Sequence, residues 1–167
     1  MAIVRKDKML AGYNGNLESV IVHNDADAKV EITNGLFVKV EGLLAGERET
    51  KKAVLADSAD ADKDVLFIHN SEVMYDERDY KLKDFRIKAG KVARAYRLYD
   101  GDIITLTVDL FEGAVAKGDK LVVKAAGKIG VDATALATAK VVFEVIEDAG
   151  FELDPEMQAF AVQVVRN

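Results

Sequence analysis

The chain has no cysteine, no tryptophan, one proline and two histidines in 167 residues. Without cysteine there is no disulfide framework, no thiolate zinc site and no thiol nucleophile. Two histidines leave little room for imidazole-based metal or acid–base chemistry. No apolar run approaches the ~20 residues of a membrane helix. The start, Met1-Ala2-Ile3-Val4-Arg5-Lys6-Asp7-Lys8, lacks the basic-then-apolar order of a signal peptide, so a soluble, unprocessed protein is expected. No stretch rich in Gly, Pro or Ser marks a linker, and the length suits one domain. Half the residues are apolar, too many for a disordered chain. The formal net charge of −6 argues against nonspecific nucleic-acid binding, which rests on phosphate neutralisation by Lys and Arg.

What is present reads as β-structure. Apolar runs rich in Val, Ile, Phe, Tyr and Thr predict strands at 20–23, 36–40, 65–69, 92–98, 103–108, 121–124, 141–146 and 160–165. In 103–108 the threonines alternate with Ile104, Leu106 and Val108, the period-two pattern of a half-buried strand. Asn14-Gly15, Asn34-Gly35, Ala89-Gly90, Asp100-Gly101, Lys117-Gly118 and Ala149-Gly150 mark turns. Gly101-Asp102 and Gly118-Asp119 share a format, in which glycine turns the chain and aspartate closes the turn before a strand. Helix is a minority expectation. Residues 45–56 are rich in helix formers but have a strand-like end; 132–139 fit a turn or two behind Asp132 as cap; Asp154-Pro155-Glu156-Met157 fits a short helical turn. The predicted fold is mainly β: a compact barrel or sandwich at 16–167, with one or two short helices and an extended, weakly structured arm at 1–15.

Motifs for chemistry are sparse. Asp60, Asp62 and Asp64 have the first spacings of a calcium loop, but Val65 stands where glycine is needed and Ser71 where a bidentate glutamate is needed. A solvated acidic loop is the expectation. His23 and His69 each end an apolar run and precede an asparagine, in two similar stretches, 20–25 and 66–71. Neither has a nucleophile motif nearby, and Gly-x-Ser-x-Gly, His-Glu-x-x-His and the phosphate-binding loop are absent. Lys117-Gly118-Asp119 resembles the turns of lipoyl and biotinyl carriers without their lysine signature. No catalytic residue, metal ligand or cofactor is expected.

Charge is unevenly placed. From Asp76 to Arg97 eight basic residues meet four acidic ones, a net of +4 that leaves −10 for the rest. Tyrosines lie within or beside this segment, and Arg with Tyr is the pairing enriched in protein interfaces. The candidate partner interface is Tyr75, Arg78, Arg86, Arg94, Tyr96, Arg97 and Tyr99, joined by Arg5, Lys6 and Lys8 of the arm.

Asn70-Ser71-Glu72-Val73-Met74-Tyr75-Asp76-Glu77-Arg78, Phe85, Ala89-Gly90-Lys91-Val92-Ala93-Arg94-Ala95-Tyr96-Arg97-Leu98 and Gly101-Asp102-Ile103 together resemble small virion proteins of tailed bacteriophages encoded near the major capsid protein. The resemblance is clearest over about 65–113. It implies a non-enzymatic head decoration (cement) protein on the capsid surface, made in the host cytoplasm. Its partner would be the major capsid protein, as single copies or trimers, with no nucleic acid and no membrane. A head–tail or tail component, and a small ligand-binding barrel or enzyme, are the alternatives. An arm folding onto a partner by strand addition would suit the first reading.

Overall fold

Each of the eight runs expected as strands forms one, because each can bury one face or both. The computed structural model describes residues 3–8, 16–73 and 81–167, with side chains except at 6–8 and 148–152. The strands are β1 (Val4–Lys8), β2 (Leu17–His23), β3 (Phe37–Leu43), β4 (Thr50–Leu55), β5 (Val65–Ile68), β6 (Ala93–Tyr96), β7 (Ile103–Thr107), β8 (Phe111–Glu112), β9 (Lys120–Val123), β10 (Ile129–Val131), β11 (Val142–Asp154) and β12 (Met157–Arg166). The fold is mainly β. Strands β2-β4-β3-β5-β6 close into a small barrel, and β1-β7-β12-β11-β9-β10-β8 form an open sheet.

The barrel is filled with small and branched side chains, among them Val20, Val22, Val38, Ala53, Leu66, Ile68, Ala93 and Ala95. Its outer wall carries Phe37, Val65, Phe67 and Tyr96, which join Leu106, Phe143 and Val162 of the sheet in a second core. Residues Val65-Leu66-Phe67-Ile68 are therefore buried on both faces, which is why they read as an unbroken apolar run. Phe37 is the joint, with ring centroids 5.6 Å from Phe67 and 5.2 Å from Phe143. Edge-on and tilted aromatic pairs of this kind add about 0.5–1.5 kcal/mol each beyond burial.

Two expectations about local structure change. In the stretch 45–56, whose Glu, Arg and Lys suggest helix while its end looks strand-like, residues 50–55 are β4, parallel to β2 and antiparallel to β3. Ala53 fills the barrel, Lys51 on the same face meets Glu18 at the barrel mouth beside Val40 and Leu66, and Lys52 on the other face reaches Asp27 and Glu41. Pairing on both sides overrides a weak helical preference. The expected helical turn at 154–157 is instead the tip of the β11–β12 hairpin. Asp154 pairs with Met157, and its Oδ1 accepts the Glu156 N–H at 2.7 Å. Proline at the first turn position serves a hairpin turn as well as a helix start.

The expected arm divides. Val4–Lys8 is β1, antiparallel to β7 with Val4 opposite Leu106, so this stretch is a strand of the chain's own sheet rather than a weakly structured tail. Ile3 exchanges hydrogen bonds with Thr107, and Ile3 and Val4 are buried. Residues 9–15 lie outside the described residues. Val4 also fixes the need for Gly35, whose φ is +89°: a Cβ there would meet Leu110 Cδ1 at 2.3 Å and Val4 Cγ2 at 2.7 Å.

Turn chemistry follows the expected format. Asp102 donates its N–H to Tyr99 O and accepts the Tyr99 N–H at Oδ2, and Asp119 does the same with Ala116. Asp60 with Asp57, and Asp84 with Lys81, repeat the reciprocal pair. Asp132, expected as a cap, accepts from the N–H groups of Thr134 and Ala135, while the cap position of the short 3₁₀ turn Ala135–Ala137 is Thr134.

Candidate functional site

The basic residues singled out from the sequence have different fates. Tyr75 and Arg78 lie outside the described residues. Lys6 and Lys8 contribute backbone pairing to β1, opposite Ile104 and Ile103, and Arg5 of the same strand is exposed. Arg86 turns onto the main chain, its Nη1 donating to Phe85 O at 2.6 Å and Lys83 O at 3.0 Å. Arg97 donates to Asp64 Oδ2 from Nε at 3.0 Å, with Nη2 at 2.9 Å, and Lys140 Nζ stands 3.6 Å from the other oxygen. Tyr96 is buried in the core between barrel and sheet, so it supports the fold rather than a contact face.

Arg94 differs. It is exposed on β6 between Ala93 and Ala95, which fill the barrel. Its main chain is clamped by Asn70, whose Oδ1 accepts the Arg94 N–H at 2.7 Å while Nδ2 donates to Val92 O. Asn34, fully buried, accepts the Asn70 N–H and donates to Asn70 O and Glu72. This lattice holds 70–72 against 92–94. The same region is apolar as well as basic: Val73 is 73% and Val92 45% exposed, and Lys88, Lys91 and Arg94 are all exposed beside them.

Not all of the segment shares that face. Lys83 Nζ meets Glu156 Oε2 at 2.6 Å and Lys81 Nζ lies 3.8 Å from Oε1, tying 81–83 to the hairpin tip. Tyr99, 41% exposed, sits by Val164 through the Gly101 N–H to Val164 O bond. Eight residues of strand separate Glu156 from Val164, about 25 Å. A hydrogen bond from Lys83, with the Coulomb attraction of Lys81 and Lys83, holds the Glu156 carboxyl below its ordinary range.

The acidic run is less solvated than expected. Asp57 and Asp62 are exposed, but Asp60 is buried and accepts from Lys39 Nζ at 2.9 and 3.2 Å, Lys63 Nζ at 2.6 Å and the Asp57 N–H at 3.2 Å. Burial pushes its carboxyl up, yet the hydrogen bonds from Lys63, Lys39 and Asp57 outweigh burial and leave it below the ordinary value. Its partners are lysines, so it is a structural anchor.

The two histidines do not meet. His69 stacks on Phe67 at 6.3 Å. Register across β2, β6 and β5 sets His69 level with Ser19, so His23 stands four residues further along. That is about 13 Å along the strand, two strands away. Asp64 precedes the opposite end of β5. Their trailing asparagines do similar local work: Asn24 Oδ1 accepts the N–H groups of Ala26 and Ala28, as Asn70 clamps β6. Among the described residues no three His, Asp or Glu side chains converge to hold a metal ion.

No protein-family model, curated protein or solved structure matches the chain.

Proposed function

We propose that the chain is a non-enzymatic decoration protein of a tailed-bacteriophage head, seated on the major capsid protein through the basic, apolar face around Arg94. The reading starts from the resemblance carried by Asn70–Arg78, Phe85, Ala89–Leu98 and Gly101–Ile103. One observation carries it to a surface: Arg94 stands exposed, with Lys88, Lys91, Val73 and Val92, on a backbone that Asn34 and Asn70 hold rigid. Arg86, Tyr96 and Arg97, by contrast, have uses within the fold. A protein of this kind needs a stiff scaffold and a contact face, and a pre-ordered face loses less entropy on docking.

The test is co-sedimentation with empty heads built from the capsid protein encoded beside it. Wild type should pellet with the heads. Lys91→Glu with Arg94→Glu should weaken binding about tenfold or more, as reversing charge at a central contact does, with the urea midpoint unchanged. Wild-type protein left in the supernatant, or a variant that pellets equally, refutes the assignment. Rings or tubes formed by the protein alone under the electron microscope would place it in the tail instead.

A further inference from the structure

A cavity of about 330 Å³ opens where the barrel meets the larger sheet. One wall is formed by the ends of the parallel strands β2 and β4, where His23 and Val54 are register partners. Facing them is the turn after β9, through Ala126. That turn is held to the end of β4 by the Gly127 N–H donating to Ala56 O at 2.7 Å, so the opening has fixed sides. Asp25, Glu31 and Asp57 stand around it, and no lysine or arginine is among the described residues that line it.

His23 supplies the second half of the argument. The residue is 4% exposed and lines the cavity. Its Nδ1 lies 3.1 Å from Ile21 O, and a carbonyl only accepts, so Nδ1 carries the proton. The other ring nitrogen, Nε2, has no hydrogen-bond partner among the described residues, and in the neutral ring it is an acceptor. With His23 neutral, that nitrogen accepts from a donor in the cavity, and the carboxylates around the opening favour one that brings positive charge.

We infer that this cavity binds an organic cation, an ammonium or guanidinium group on an apolar stem. A bare metal ion fits poorly, since no three acidic or histidine side chains among the described residues converge on one point. Carboxylates spread around an apolar-walled opening suit a larger cation with several N–H donors, its stem covered by Val54 and Leu55. The cation has two sources, a free amine or a basic side chain on another polypeptide. The inference stands apart from head binding, because it concerns the His23 cavity and not the Arg94 face.

The experiment is an amide NMR titration of the full chain near neutral pH. The probes are N-acetyl-arginine amide, N-acetyl-lysine amide, the uncharged isostere N-acetyl-citrulline amide, and a Gly-Ser peptide with one central arginine. The cationic probes should shift the amides of His23, Asn24, Ala56 and Asp57 saturably, in the millimolar range expected of a single small group. Citrulline should not. Asp25→Asn with Glu31→Gln, both exposed positions, should weaken binding about fivefold or more as two rim charges are lost, with distant amides unmoved. Tighter binding of the peptide than of the single residue assigns the cation to a polypeptide; equal binding assigns it to a free amine. No saturable shift up to about 50 mM, a concentration beyond useful affinity, overturns the inference. So does an equal response to citrulline, or a response centred elsewhere.

Discussion

Replacing Asp60 with asparagine keeps the side chain's shape and removes its charge from a site 2% exposed. Three donors then lose a carboxylate: Lys39, Lys63 and the Asp57 N–H. Lys39 is about one-third exposed and its bond to a buried carboxylate is charge-assisted, so after discounting for screening its loss costs about 1.5 kcal/mol. Lys63 is half exposed and regains water, so it adds little. The amide oxygen can still accept from Asp57, so the turn survives in Asp60→Asn. Asp60→Ala also loses that turn bond, about 1 kcal/mol more. The expected losses are about 1.5–2 kcal/mol for Asn and about 3 kcal/mol for Ala. The folded carboxyl lies below its ordinary value, so the charge contributes fully above the unfolded-state value and is lost as pH falls through the folded one. Urea unfolding of wild type and Asp60→Asn should give a constant gap above about pH 5, closing below about pH 4 as the unfolded reference of about 3.9 is passed. A gap under about 0.5 kcal/mol at pH 7, or one that persists undiminished in acid, refutes the anchoring role.

Other outcomes follow from the same geometry. Phe143→Ala should cost about 3–5 kcal/mol by calorimetry, because it empties the joint between barrel and sheet. Gly35→Ala should cost about 2 kcal/mol or more, adding a Cβ that collides with Leu110 and Val4 at a positive φ; Gly46→Ala, also at positive φ but with open space around it, should cost less. Glu156→Gln should release 81–83 from the hairpin tip, seen as shifted Lys83 amide and side-chain resonances. Wild type should approach those shifts as acid protonates Glu156, and the Gln variant should not respond further.

The strands were legible where burial writes a local pattern. The continuous run at 65–68 mapped onto a strand, and so did 103–107, but its expected wet face is buried: Thr105 and Thr107 are 0% exposed, and Val108 lies past the strand, 44% exposed. The Gly-Asp turns were legible because their chemistry spans three residues. Strand β4 showed only as a strand-like end, because its two lysines look helical until Glu18, Asp27 and Glu41 are brought beside them. Strand β1 was hidden because its partner β7 lies about a hundred residues away. The ion pair of Arg97 was hidden for the same reason, its aspartate lying 33 positions earlier in sequence. Tyr96 went astray because aromatic residues serve cores and interfaces alike. Arg94 of the same segment is an exposed residue on a strand otherwise buried. The His23 cavity had no sequence signal, since its walls come from 23–31, 54–57 and 126.

The placement of the strands along the chain sets an order of completion during synthesis. All five barrel strands fall between residues 17 and 96, so the barrel's hydrogen-bonded ring needs nothing made later. Its outer wall does: Phe37 and Phe67 have no cover until β7, β11 and β12 arrive. Strand β1, made first, has no partner until 103–107 leaves the ribosome, and its Ile3 and Val4 stay wet throughout. The nascent protein therefore carries an aromatic wall and an apolar strand unpaired for much of its translation, the stage at which such surfaces are most open to misassociation.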